Sequence, residues 1–245
     1  MITRYFQSLD LLPSHFERLE APSMWLRDFM PLQRQDGGMV GFTYGCKYMH
    51  DFGEEIFDPS EIWARYDLKV NRLPIIADGG HFIETSRHWF ASQAIFDENP
   101  NFLKSEINAM LTQVLDKPLR WLPPMPDDFT GHLDGVVRWF QGNVVLVYDW
   151  FPTRKLRFWQ TDFNRILRNS GYKLVVVKTT LSDDPISAEG LSLNYVFDGT
   201  TFYGATPEAP VPQMPYRYIH APEVLAEGGG IHCITYNFNE HPNQL

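Results

Sequence analysis

Cysteine, long apolar runs and clusters of basic residues are all scarce in this chain, and each shortage closes off a class. Only Cys46 and Cys233 are cysteines among the 245 residues. Two isolated thiols build neither a disulfide framework nor the paired spacing of a zinc site, so a reducing, cytoplasmic setting is expected. No stretch approaches the ~18 consecutive apolar residues of a membrane span, and Met1 to Phe6 lacks the apolar centre of a signal peptide. The formal charge is −9, from 21 basic and 30 acidic residues, and no Lys/Arg run stands out. Neither a nucleic acid nor a membrane is therefore expected as a partner, whereas the acidic balance favours small cations. No break in composition divides the chain, which reads as a single domain over residues 1–245. Oligomeric state is not fixed by the sequence, and a homo-oligomer stays open.

Present in quantity are apolar residues, at 44%, and aromatics, at 15%, enough for a full core and aromatic-lined walls. The apolar spacing of Phe102, Leu103, Ile107, Met110, Leu111, Val114 and Leu115 predicts a helix. A second helix is predicted over Gln160–Asn169, stopping at Gly171, and a short one near Ser60. Strands are predicted at residues 39–44, 73–77, 119–122, 143–148, 173–178 and 216–220. A hairpin of 193–197 with 201–203 turns across Asp198-Gly199. A last strand is expected over Ile231–Thr235, whose alternation places Ile231, Cys233 and Thr235 on one face and His232 on the other. Strands alternating with helices give an α/β fold, and a Gly-ending turn ahead of a strand recurs, hinting at repeated ββαβ units.

Four stretches set ionisable residues among glycines or prolines at strand ends: Arg27-Asp28, Asp78-Gly79-Gly80, Gly131-His132-Leu133-Asp134 and Gly230-Ile231-His232-Cys233. Together they hold a thiol, an imidazole and three carboxylates. A thiolate is a strong nucleophile, but amide hydrolysis by a thiol needs only a His and one orienting group. Three carboxylates instead complement a planar cation with several N–H donors. A Cys–His pair ringed by Asp suggests attack on a guanidinium or amidinium carbon. The plain alternative for Cys233 is a buried structural thiol behind a glycine turn, and for Asp78 an ordinary Asp-Gly turn residue. The spacing of His132 and Asp134 places both on one face of an extended segment, able to reach one cavity.

At these residues the chain resembles the agmatine deiminase and peptidylarginine deiminase family, within the guanidino-modifying (pentein) superfamily. The likeness rests on Trp25–Pro31 (W-x-RD-x-x-P), on Asp78-Gly79-Gly80-His81-Phe82, on Gly131–Arg138 (G-H-x-D-x-x-x-R) and on Gly228–Thr235 (G-G-G-x-H-C-x-T), in family order. The resemblance implies a five-fold pseudosymmetric α/β propeller of ββαβ-type units around a central site, without metal or cofactor. It implies Cys233 as nucleophile and His132 as general acid/base, with Asp134 in the catalytic set. Asp28, Asp78 and Asp134 would hold the guanidinium nitrogens, beside Trp25, and Gly230 and its neighbouring glycines would make room for substrate. The reaction implied is hydrolysis of a guanidino group to a ureido group and ammonia through a Cys-linked intermediate. Its first-choice substrate is agmatine, giving N-carbamoylputrescine in putrescine biosynthesis. Peptidyl- or free arginine, amidino transfer to an amine, and a non-catalytic guanidino binder are the alternatives.

The chain departs from the pattern in places. Asp78 and His81 stand where Glu and Asn are usual in agmatine-type members. The chain is also short for the family, and the segment after Tyr203 is rich in proline where a helix is expected, so one unit is expected to be degenerate. Arg27 and Arg138 are read as buttresses of the carboxylates, His81 and His232 as structural, and Cys46 as a structural or surface thiol. Trp89, Trp139, Trp150 and Trp159 are read as core.

Overall fold

The computed structural model describes residues 20–148, 153–178, 182 and 187–236. Four small sheets are found there, and all four have the same plan: an antiparallel pair of strands followed by a third strand parallel to the second. In the first, β1 (Leu32–Gln33) pairs antiparallel with β2 (Met39–Thr43), which pairs parallel with β3 (Val70–Ile76). The second uses β4 (Phe82–Glu84), β5 (Trp89–Ser92) and β6 (Leu119–Leu122) in the same way. The third uses β7 (Val137–Gln141), β8 (Val144–Tyr148) and β9 (Lys173–Val177). The fourth is a miniature of β10 (Val196–Phe197), β11 (Phe202–Gly204) and β12 (Tyr216–Tyr218).

A parallel pair needs a crossover, and helices supply it in three of the four sheets. β2 reaches β3 through α2 (Lys47–Phe52) and α3 (Ser60–Arg65), and β5 reaches β6 through α4 (Ala94–Glu98) and α5 (Lys104–Val114). The crossover from β8 to β9 contains α6 (Arg154–Asn169). Residues 205–215, between β11 and β12, contain no helix; prolines at 207, 210, 212 and 215 remove amide donors along that path. That unit is the degenerate one. The repeated-unit reading is thus met four times among the described residues. Two short helices lie outside the sheets, α1 (Leu26–Phe29) before the first and α7 (Pro222–Ala226) after the last.

The helices form for local reasons visible in the chain. Glu106 accepts from the Leu103 amide at 2.7 Å at the start of α5, whose Ile107, Leu111 and Val114 form one buried stripe. α6 begins at Arg154, six residues before the expected start at Gln160, because Thr153 caps it by accepting from the Leu156 amide at 3.2 Å. Its buried residues Trp159, Phe163 and Leu167 pack with Val145, Leu146 and Val147 of β8 in the largest apolar cluster. β5 and β7 fall where no strand was expected. β3 contains Pro74, tolerated because β3 is an edge strand and the β2–β3 register slips beside it. No helix among the described residues is long and apolar enough to cross a membrane. Trp89 and Trp159 are core, Trp139 is half-buried, and Trp150 lies outside the described residues.

One expected element is absent. Ile231–Thr235 is not a strand but a turn, in which the Thr235 amide donates to the His232 carbonyl at 3.2 Å. The glycine run delivers the chain into this turn, so the alternation of faces expected there does not apply. The topology also sets the stage for a site. Five segments lying before, between or after the sheets contain Asp28, Asp78, His132 with Asp134, Asn194, and Cys233.

Candidate active site

The Asp78-Gly79-Gly80 stretch shows how the cluster is assembled. Asp78 follows β3 and starts a 3-10 turn over Gly79–His81. A Cβ on Gly79 would lie 2.1 Å from the Arg27 carbonyl oxygen, so only glycine lets α1 pass there. A Cβ on Gly80 would lie 2.5 Å from His132 Nδ1, and the Gly80 carbonyl accepts from the Leu133 amide at 2.8 Å. The two glycines therefore seat α1 and the His132 loop directly against Asp78. His81 is structural, as expected: its Nδ1 accepts from the Asp78 amide at 3.0 Å, and its Nε2 donates to the Thr130 carbonyl at 3.1 Å.

Around that seat the carboxylates and imidazoles divide into two linked groups. In the first, His132 Nε2 donates to Asp78 Oδ2 at 3.1 Å, and His132 Nδ1 lies 4.0 Å from Asp28 Oδ1. Tyr48 of α2 donates to the same Asp78 oxygen at 2.8 Å and lies 3.4 Å from Asp28 Oδ2. In the second, His232 Nδ1 lies 2.6 Å from Asp134 Oδ2, and Cys233 Sγ is 4.0 Å from that oxygen. Asn194 completes it: its Nδ2 donates to Cys233 Sγ at 3.0 Å, while its Oδ1 accepts from the His232 amide at 2.9 Å and the Cys233 amide at 3.3 Å. The Cys233 carbonyl in turn accepts from the Arg27 amide at 3.0 Å, tying the thiol's loop to α1.

Several sequence expectations change here. His132 and Asp134 both reach the cluster, but from a turn rather than an extended segment. His232 is not on the far face from Cys233, since both approach one oxygen of Asp134. Gly230 makes room for Asn194, whose Oδ1 a Cβ there would meet at 2.6 Å. Trp25 packs on Gly229, where a Cβ would come within 2.1 Å of the indole. Both glycines thus accommodate protein side chains. Arg27 forms no ion pair with Asp28 among the described residues. Cys46 is fully buried beside Asp78 and is structural. Tyr48 and Asn194 were missed by sequence reasoning, for neither belongs to a glycine-flanked stretch.

Burial governs the electrostatics, and charge pairing decides each outcome. Burial favours the neutral imidazole of His132, but the Asp28 charge and the Asp78 hydrogen bond and charge override it and push its pKa up to about 10. Asp78 is correspondingly held low: burial opposes ionisation, and the hydrogen bond and charge of His132 outweigh it. Asp28 is driven well up by burial, with Asp78 and Asp134 adding repulsion against the pull of His132. Asp134 is held low despite burial by its hydrogen bond from His232. His232 itself is pushed well down by burial and by the charges of Arg138 and Arg27, so it is a neutral donor to an ionised Asp134. Cys233, half-buried, is pushed well up by burial and by Asp134 and Asp28.

The set thus carries excess negative charge in a dry setting, beside a thiol, an imidazolium and a neutral imidazole. It can hold a planar cation, present a sulfur to it and move a proton. Two triplets have the proximity of metal ligands, Asp28/Asp78/His132 and Cys46/Asp78/His81. In the second, both His81 nitrogens are already committed to backbone partners; in the first, His132 Nε2 is bonded to Asp78 Oδ2, while Asp78 Oδ1 and Asp28 Oδ1 are buried without a hydrogen-bond partner among the described residues.

No protein-family profile and no curated protein sequence matches the chain. Solved structures do. A cysteine-to-serine variant of C. jejuni agmatine deiminase with substrate bound superposes with a TM-score of 0.70 at 16% identity, covering 93% of this chain and 76% of its own. The agmatine deiminase of Enterococcus faecalis gives 0.65 at 15% identity, covering 86% and 73%. The product-bound N-terminal domain of ArgZ, a cyanobacterial arginine dihydrolase, gives 0.58 at 13% identity, covering 90% and 77%. The chain therefore has the mixed α/β fold, built of small sheets, of the agmatine deiminases and their arginine-directed relatives.

Proposed function

We propose that this protein is a hydrolytic deiminase that converts a guanidino group to a ureido group and ammonia, with Cys233 as nucleophile. The observation that carries the reading is the convergence of Cys233, His132, Asp28, Asp78 and Asp134, from four separate segments, on one buried, negatively charged cluster. Fold neighbours that are agmatine deiminases, one of them with substrate bound, support it.

In the proposed reaction the guanidinium lies against Asp28 and Asp134, whose oxygens match its forked N–H groups. The Cys233 proton leaves to solvent as the cation binds, and the thiolate, held by Asn194, attacks the guanidinium carbon. A C–S bond forms and a neutral tetrahedral adduct results. Imidazolium His132 protonates one amino group, which departs as ammonia as its C–N bond breaks. The remaining S-alkylthiouronium carries the positive charge. Water then attacks its carbon, giving its proton to the now neutral His132. Collapse of that adduct breaks the C–S bond, releases the ureido product and restores the thiolate. The hydroxyl proton leaves to ammonia or solvent. Asp78 and Tyr48 act behind His132, fixing its ring.

Agmatine is the proposed substrate. Incubation with agmatine, arginine and an arginine-containing peptide, with ureido product assayed for each, tests the proposal. Ureido product that Cys233→Ala abolishes supports it. Folded protein that yields none from any of the three refutes it, and amidino transfer to an added amine would make the protein a transferase instead.

A further inference from the structure

A cavity adjoins the cluster but is lined by none of Cys233, His132, Asp28 and Asp78. It is a cleft of about 360 Å³ into which Arg27, Gln33, Arg138, Trp139, His232 and Tyr236 project. Two guanidinium groups thus meet in one partly enclosed space, close enough for Arg138 to lower the pKa of Arg27 after burial has already done so. Neither cation forms an ion pair among the described residues. Arg27 lies 5.8 Å over the Tyr236 ring and Arg138 5.0 Å over the Tyr195 ring. Arg27 Nε is buried without a hydrogen-bond partner among the described residues. A buried donor without an acceptor is costly, and a charged one more so.

Among the described residues, the carboxylates nearest these charges are engaged elsewhere. Glu84 also lines the cleft, but Lys117 holds it at 2.5 Å. Asp134, whose field reaches both Arg27 and Arg138, is bonded to His232. In a chain of net charge −9, two arginines facing one cavity without a carboxylate partner among the described residues form a local cationic pocket. Guanidinium forks are shaped to take two oxygens of one group side by side.

We propose that the cleft between Arg27 and Arg138 binds a small oxyanion, a phosphate or a carboxylate. The anion would meet the orphaned Arg27 Nε and the Arg138 fork. It would also offset the positive field that these arginines impose on His232. The site is independent of the deiminase reading, since it needs only the cleft and its cations.

The test is calorimetric titration of the full chain with inorganic phosphate and, separately, with succinate, at ionic strength held constant with chloride. Saturable binding of either anion is expected, and the stronger of the two identifies the oxyanion preferred. Arg138→Gln should weaken it at least about tenfold, by loss of a charge-assisted bidentate contact. Arg138→Lys, which keeps the charge and loses the fork, should weaken it by a smaller factor and serves where the Gln variant does not fold. Arg120→Gln, outside the cleft's lining, should leave binding unchanged. Saturable binding of neither anion overturns the proposal. So does equal weakening by Arg138→Gln and Arg120→Gln, which would mark general surface charge.

Discussion

Replacing Asp28 by Asn takes one charge from the cluster while keeping the size of the side chain. His132 is held at about 10 chiefly because Asp28 and Asp78 overcome the effect of burial. The Asp28 oxygen lies 4.0 Å from His132 Nδ1. Two unit charges at that distance interact by about 4 kcal/mol at an effective dielectric constant of ~20, which is about three decades in proton affinity. His132 in Asp28→Asn should therefore titrate near ~7. The stability consequence has a definite sign. A His raised above its unfolded value of 6.5 stabilises the fold fully below that pH, and loses the contribution as pH climbs through the folded value of about 10. For the native protein this is at most about 5 kcal/mol; in the variant the window closes to about pH 6.5–7. The assay is an NMR titration of the imidazole Cε1–H signals, with His132 assigned by comparison with His132→Gln, and thermal melts at pH 7 and 10 alongside. A folded Asp28→Asn protein whose His132 still titrates near 10 would refute the electrostatic account of the cluster.

Other perturbations address the remaining parts. Gly80→Ala pushes a methyl into the His132 ring at 2.5 Å; it should lower stability by about 1–3 kcal/mol and lower guanidine hydrolysis far more than that loss of folded protein explains, as read by melts and ureido assay together. Asn194→Ala removes the donor to Cys233 Sγ and leaves the His232 and Cys233 amides without their acceptor. It should cost about 1–3 kcal/mol of stability and slow alkylation of Cys233 by chloroacetamidine at least about tenfold. In the native protein that cationic reagent should label Cys233 and spare the fully buried Cys46, as read by peptide mass spectrometry.

The members of the cluster were legible because most of them are bracketed by glycines, and the structure shows what the brackets do. Gly79 and Gly80 admit Arg27 and His132 against Asp78, a constraint a sequence records as an invitation to bend. Asn194 was illegible because its partners are 38 and 39 residues away, and its flanks Leu193 and Tyr195 read as ordinary strand. Tyr48 was hidden on a six-residue helix, α2, that the sequence did not announce. The misplacement of His232 came from assuming a period of two after Gly230, where backbone bonds close a turn. The alternation of strands and helices was correctly read, and so was the loss of a helix from the proline-rich segment after Tyr203, since proline chemistry is local. The shared plan of the four sheets was not readable, because the repeat lies in hydrogen-bond topology and not in side chains.

The electrostatics of the thiol bear on selectivity. Burial, Asp134 and Asp28 all disfavour the Cys233 thiolate, an odd arrangement for a nucleophile that must act alone. It is a suitable one for a nucleophile activated by its substrate. A guanidinium bound against Asp28 and Asp134 answers the carboxylates that raise the thiol and puts a positive charge beside the sulfur. At about 4 Å that charge contributes up to about 4 kcal/mol toward ionisation, roughly a thousandfold. A neutral amide brings no such charge and leaves the thiol protonated. A cation bound against Asp28 also offsets the burial that drives that carboxyl up, so binding and activation become one event. In the proposed reaction Asp28 and Asp134 would do more than grip the substrate: they would keep Cys233 silent toward uncharged carbonyl compounds and release it only to a cation.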